Sequence, residues 1–267
     1  MKQFAAKMSV ACGVVLLVSP TVTAEPSLFG YSSWTGALLS FDLSTGAATS
    51  IAPLEYSGVT GMAYDERNGI LYGASYSMDV LLAIDPITGE SSVIASMAFG
   101  NISGMTFDPT SGYLFAVDGA ADALIRIDPL TGETTTIGSM GFAGVYGLTI
   151  DTTTGTMYAT DHFVDNLLVI DMFTGQASAI AELDLVIGGL TFNPISGMLL
   201  ATDTHANGDV LYSIDPLSGV ATLVGDVGVP RIQGLAFVVP APGIPAFAFV
   251  LSMGALRRKR SRNGMCL

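Results

Sequence analysis

The chain has 267 residues, 50% hydrophobic and 12% charged, with 31 glycines and two cysteines. That apolar content excludes a charged disordered chain, and cysteines only at the two ends, Cys12 and Cys266, exclude a disulfide scaffold or a cysteine-rich zinc module. Ten Lys and Arg against 23 Asp and Glu give a net charge of −13, which excludes nucleic acid as a partner, because phosphates call for clustered cations.

Taken in chain order, residues 1–24 read as a secretory signal peptide. Lys2 and Lys7 form a positive start, Met8 to Val18 an apolar stretch, and Val22-Thr23-Ala24 a small-residue cleavage site before Glu25. The alternative, a retained membrane anchor, suits the segment less well, since the run is short and Pro20 breaks it. Cys12 lies inside the apolar stretch, which argues against a lipoprotein signal, and cleavage leaves a body without cysteine. Between the basic ends only Arg67, Arg126 and Arg231 face all 23 acidic residues, so the body carries −20 and no lysine. It repels phosphate backbones and anionic membranes and suits cations or neutral ligands.

The body, residues 25–238, is built from one repeated unit. Phe41-Asp42-Leu43-Ser44-Thr45-Gly46 recurs as Ile84 to Gly89, Ile127 to Gly132, Ile170 to Gly175 and Ile214 to Gly219, with the last glycines 43 or 44 positions apart. A second phrase keeps the same phase: Gly61-Met62-Ala63-Tyr64, Gly104-Met105-Thr106-Phe107, Gly147-Leu148-Thr149-Ile150, Gly189-Leu190-Thr191-Phe192 and Gly234-Leu235-Ala236-Phe237. Each unit reads as four short strands A to D, for example Gly104 to Phe107, Tyr113 to Val117, Ala123 to Ile127 and Thr134 to Ile137. The Asp-Pro-x-Thr-Gly segments between them are turns, in which Pro presets the first residue and Gly accepts the left-handed conformation. The repeated Asp and Thr are therefore read as turn chemistry.

A period near 43 with four strands predicts an all-β protein, a β-propeller. The chain begins with B, C and D (Leu28 to Ile51), continues with four full units, and ends with a lone A (Gly234 to Val238). Twenty strands make five blades, the C-terminal strand completing the first and hiding both edges. The leading apolar strand and closing Ile-Asp-Pro-x-Thr-Gly resemble the secreted bacterial repeat propellers of the YVTN and quinoprotein-amine-dehydrogenase-like group. The resemblance covers about residues 28–238 and implies fold rather than function. Such proteins commonly have six to eight blades, so five is a departure.

Residues 239–267 form a tail. Val239-Pro240-Ala241-Pro242-Gly243 precedes the apolar run Ile244 to Leu256, then Arg257-Arg258-Lys259-Arg260. Thirteen apolar residues make a poor span, and the basic cluster would hold this end on the cytoplasmic side. Pro240, Pro242 and Gly243, the apolar run and the basic cluster together resemble the PEP-CTERM sorting signal of bacterial surface proteins. That resemblance implies an exosortase-type enzyme as partner, transient contact with the inner membrane, and export to the cell surface or extracellular matrix. Ala241 stands where the family has Glu, and a plain tail anchor is the alternative reading.

Candidate site residues lie on the face bearing the B–C and D–A loops, since those loops differ while the opposite turns are near-identical. Trp34, Tyr76 and Phe163 in B–C loops, with Tyr56, Phe99, Phe142 and Tyr146 in D–A loops, would stack on sugar rings or grip a protein; packing between blades is their bland role. His162 and His205, the only histidines, fall in equivalent loops beside Asp161 and Asp203, an arrangement that would suit Zn²⁺. The pairs Asp118/Asp122, Asp161/Asp165 and Asp203/Asp209 would suit Ca²⁺, although turn capping is the preferred reading of them. No cofactor is otherwise implied.

Catalytic signatures are sparse. The sequence has no Gly-x-Ser-x-Gly elbow, no phosphate-binding Gly-Lys-Ser/Thr loop, and neither cysteine nor lysine in the body. The sequence therefore points to a secreted, surface-retained, non-enzymatic propeller that binds a protein or polysaccharide through its variable loops. The alternative is a glycan- or lactone-active propeller hydrolase using carboxylates such as Glu55, Glu182, Asp184 and Asp226, with or without a divalent metal.

Overall fold

The computed structural model describes residues 25–97, 101–204 and 209–239. The signal segment, Phe99, His205 and the tail from residue 240 lie outside the described residues. The described body is all β: five antiparallel sheets of four strands, each sheet one blade. Blade 1 pairs β1 (Ser27–Ser32), β2 (Ala37–Phe41) and β3 (Ala48–Pro53) with the final strand β20 (Ile232–Val238). Blade 2 holds β4 (Val59–Asp65), β5 (Ile70–Ser75), β6 (Val80–Ile84) and β7 (Ser91–Ser96). Blade 3 holds β8 (Ile102–Phe107), β9 (Leu114–Asp118), β10 (Ala123–Ile127) and β11 (Thr134–Ser139). Blade 4 holds β12 (Val145–Ile150), β13 (Met157–Asp161), β14 (Asn166–Ile170) and β15 (Ala177–Glu182). Blade 5 holds β16 (Ile187–Asn193), β17 (Met198–Asp203), β18 (Val210–Ile214) and β19 (Ala221–Asp226). The A strands β4, β8, β12, β16 and β20 pack in a closed ring around the axis. The fold is the five-bladed propeller that the strand count predicts, closed by β20 pairing with β1 from Ser27↔Val238 to Ser32↔Ile232.

Strands run longer than their apolar cores suggest. The D strand predicted over Thr134–Ile137 continues to Ser139, because a bulge opposite Leu124/Ile125 lets the ladder resume beyond it. Every C–D pair carries a bulge at the equivalent place, for example at Leu38/Leu39 and Leu211/Tyr212. Bulges add right-handed twist, which suits outer strands turned across their neighbours.

The two repeated phrases have separate physical origins. In the turn phrase the Asp carboxylate accepts the N–H of the third residue, as Asp85 does from Ile87 at 2.8 Å, and the glycine takes positive φ, 72° at Gly89. In the A-strand phrase the buried Met62, Met105, Leu148, Leu190 and Leu235 each lie against the glycine of the preceding blade in the ring. A Cβ on Gly147 would stand 2.6 Å from the Cβ of Leu190, and one on Gly61 2.8 Å from that of Met105. A ring of only five strands leaves no room for larger residues. The following threonines stitch blades together: Thr106 Oγ1 accepts the Ile150 N–H, Thr149 Oγ1 that of Phe192, and Thr191 Oγ1 that of Phe237. Five apolar clusters of A–D side chains fill the seams between blades.

Candidate functional site

Backbone hydrogen bonds place the B–C and D–A loops together at one end of the ring, hereafter the loop face. The N–H groups of Ser33, Tyr76, Gly119, His162 and Thr204 donate to the carbonyls of Arg231, Gly58, Asn101, Gly144 and Val186. The same bond in every blade ties each variable B–C turn to the neighbouring D–A loop. Variation is thereby confined to the side chains the two loops present.

Those side chains are strongly aromatic. Trp34 is 65% exposed and Phe163 71%, with Tyr76 and Tyr146 also exposed. Tyr146 lies on β12 rather than in a D–A loop, because the strand starts at Val145, which pairs with Asp161. Its ring meets His162 at 5.1 Å, and His162 meets Phe163 edge-on at 6.2 Å, so blade 4 carries a three-ring patch. The Phe163 ring rests against Gly144, where a Cβ would come within 2.6 Å of it. On blade 1 the Arg231 guanidinium sits 5.3 Å from the Trp34 ring centre, an attractive cation–π geometry. Arg231 and the exposed Met78 and Val164 extend the patch; the sequence hint for Arg231 was its rarity as one of three body cations. Tyr56 and Phe142 are half-buried against the seams beside blades 2 and 4 and serve packing.

Asp118/Asp122 and Asp161/Asp165 each bound one turn. Asp118 accepts the Ala120 N–H at 3.0 Å, Asp161 those of Phe163 and Val164, and Asp203 that of Val186. Their partners Asp122 and Asp165 sit at φ 48° and 54°, where Gly36 and Asp79 sit in other blades, because Asp tolerates the left-handed turn. Asp209 is buried and its carboxylate accepts the Arg231 N–H at 2.9 Å and the Ile232 N–H, fastening the entry to β20. Burial pushes the Asp209 carboxyl above its ordinary range, opposed by those two hydrogen bonds. Among the described residues no three His, Cys, Asp or Glu side chains converge on a point fit for an ion.

Among the described residues the axis is largely filled. Met62, Met105, Leu148, Leu190 and Leu235 girdle it, separating an upper cavity of about 10 Å³ from lower ones of about 50 and 60 Å³. The upper space suits a single water and the lower ones a few each. The lower lining offers one carboxylate, Glu66, and Glu55, Glu182, Asp184 and Asp226 do not line the axial cavities.

The fold and the ringed loop face define a five-bladed β-propeller with an occluded axis and an aromatic end. The chain belongs to a repeat family of unknown function (DUF6923), whose model matches residues 100–240. No curated protein matches it. A chain in a crystal structure of a nidogen/laminin complex is similar in fold, with TM-score 0.62 and 17% identity over 81% of this chain and all of that one.

Proposed function

We propose that this protein is an exported, surface-held, non-enzymatic propeller that binds a partner protein or polysaccharide through its loop face. The observation that carries the reading is the exposure of Trp34, Tyr76, Tyr146 and Phe163 at the one end where the blades differ. Exposed aromatic clusters are costly in water and are the residues that anchor interfaces. The filled axis favours binding over turnover, and the similarity to a propeller-fold chain in a complex between proteins agrees with a protein partner. Export rests on the signal-like residues 1–24, and retention on the PEP-CTERM-like tail with its exosortase-type processing or anchoring.

The test is binding of the purified chain to a glycan array and to extracted surface proteins, alongside Trp34→Ala and Phe163→Ala. Each substitution is expected to weaken capture at least tenfold, the loss of about 1.4 kcal/mol that an aromatic anchor exceeds. Undiminished capture by the double variant would move the site off the loop face.

A further inference from the structure

At the end opposite the loop face, four turn tips carry large apolar side chains in open solvent. Leu130 is 83% exposed, Leu217 88% and Phe173 93%, and Ile87 is 57% exposed. All four occupy the third position of the Asp-Pro-x-Thr-Gly phrase, in four different blades. The turn does not require them. In these four turns that position contributes only its N–H, which the Asp accepts at 2.8–2.9 Å from Ile87, Leu130, Phe173 and Leu217; in blade 1 Ser44 makes the same bond and adds its hydroxyl. Folding thus accepts serine there, and four exposed hydrophobes call for another cause.

The chain leaves the body at this same end. β20 runs from the loop face to Val238, and Val239 lines the lower axial cavity beside Tyr64, Phe107 and Phe192. Only residues 240–243 separate it from the apolar run Ile244 to Leu256. Four residues reach at most about 14 Å, so a tail that enters a bilayer holds the turn end against the lipid surface. Thirteen apolar residues are too few to span comfortably, and stable attachment to a bilayer takes a second contact.

We propose that the turn end is a membrane-docking surface, with Ile87, Leu130, Phe173 and Leu217 seated in the interfacial layer of a zwitterionic bilayer and the loop face turned away from it. The proposal rests on the tail-anchoring part of the function proposed above. A lipid plane can meet all four tips at once, since they stand at one end of the ring in four different blades. A second copy would oppose Asp42, Asp85, Asp128, Asp171 and Asp215 to their own images, and anionic headgroups would meet the same carboxylates.

The test uses the exported chain, residues 25–267 with Cys266→Ser, reconstituted in phosphatidylcholine vesicles. An environment-sensitive dye is attached at Leu130→Cys or Phe173→Cys, and at Tyr76→Cys or Phe163→Cys as the opposite end. Expected are a blue shift and quenching by spin-labelled lipid at 130 and 173, with neither at 76 and 163. Chain that floats with vesicles while all four dyes stay water-exposed overturns the docking surface and leaves the anchor standing. Chain that does not float overturns both. Dyes at 130 and 173 that are shielded equally without lipid show that the tail or a second copy covers the tips, and overturn it too.

Discussion

Gly104 and Gly155 are both glycine, for different reasons. A Cβ on Gly104 would lie 2.3 Å from the Tyr146 carbonyl oxygen and 2.9 Å from the Leu148 nitrogen, backbone atoms that cannot move aside. Gly155 has no atom near its would-be Cβ but sits at φ 77° in a turn. Gly104→Ala is expected to cost about 3 kcal/mol or more by overpacking, and Gly155→Ala about 1 kcal/mol by backbone strain alone; urea denaturation of the two variants would rank them. The turn aspartates have a collective signature. Hydrogen bonds from the Ser44 hydroxyl, the Phe173 N–H and the Leu217 N–H hold Asp42, Asp171 and Asp215 below the usual carboxylate range. Burial raises Asp108 and Asp151, but the hydrogen bonds of their turns outweigh it and the net shift is again downward. A folded pKa below the unfolded one stabilises fully above about pH 4 and is lost as pH falls through the folded value. Melting temperature is therefore expected to drop steeply between about pH 4 and pH 2, with buried Asp209, shifted the opposite way, unable to offset five such groups.

At the scale of elements, β20 is the strand without which the ring is open. Ending the chain at Arg231 would bare the edge of β1 and the flank of β4 and β16 that β20 covers. Such a truncation is expected to lose its cooperative thermal transition and to aggregate on size-exclusion chromatography, since unpaired edges template association. This element was readable in the sequence, because the lone Gly234-Leu235-Ala236-Phe237 phrase had no partners of its own. The B–C turns were less so. Asp118/Asp122 and Asp161/Asp165 look identical whether they cap a turn or chelate an ion, and only the direction of their hydrogen bonds separates the two. With Asp118, Asp161 and Asp209 accepting backbone N–H groups, EDTA is expected to leave the melting temperature unchanged; a fall of several degrees would restore a bound cation. The A-strand threonines were visible as repeats, but their bonds to the next blade depend on ring curvature, which no single strand reveals.

For the whole molecule, charge is lopsided. The three arginines of the body are too few to neutralise 23 carboxylates, and each lies over a ring: Arg67 over Phe107, Arg126 over Tyr113 and Arg231 over Trp34. Only Arg67 comes within 4 Å of a carboxylate, Asp65 at 3.8 Å, among the described residues. Self-repulsion on this scale is screened by salt, so the melting temperature at pH 7 is expected to rise between low ionic strength and about 0.5 M NaCl; a flat response would show that the carboxylates are neutralised locally. The loop-face aromatics could be picked out as candidates from position alone, but separating exposed Trp34 and Phe163 from packed Tyr56 and Phe142 took the three-dimensional seams. Nor did spacing expose the apolar turn tips, since a phrase repeated five times draws the eye to its constant residues and away from its variable third position.

The pairing of Ser27 with Val238 also has a consequence for folding. Blades 2 to 5 are each contiguous in the chain, so their hairpins form from near neighbours and meet little loop-closure entropy. Blade 1 must wait for the two ends of the body to find each other across nearly its whole length, the kind of contact that slows folding most. Closing this one long-range pair is therefore the contact expected to limit the folding rate, and until it forms the β1 edge stays open to association.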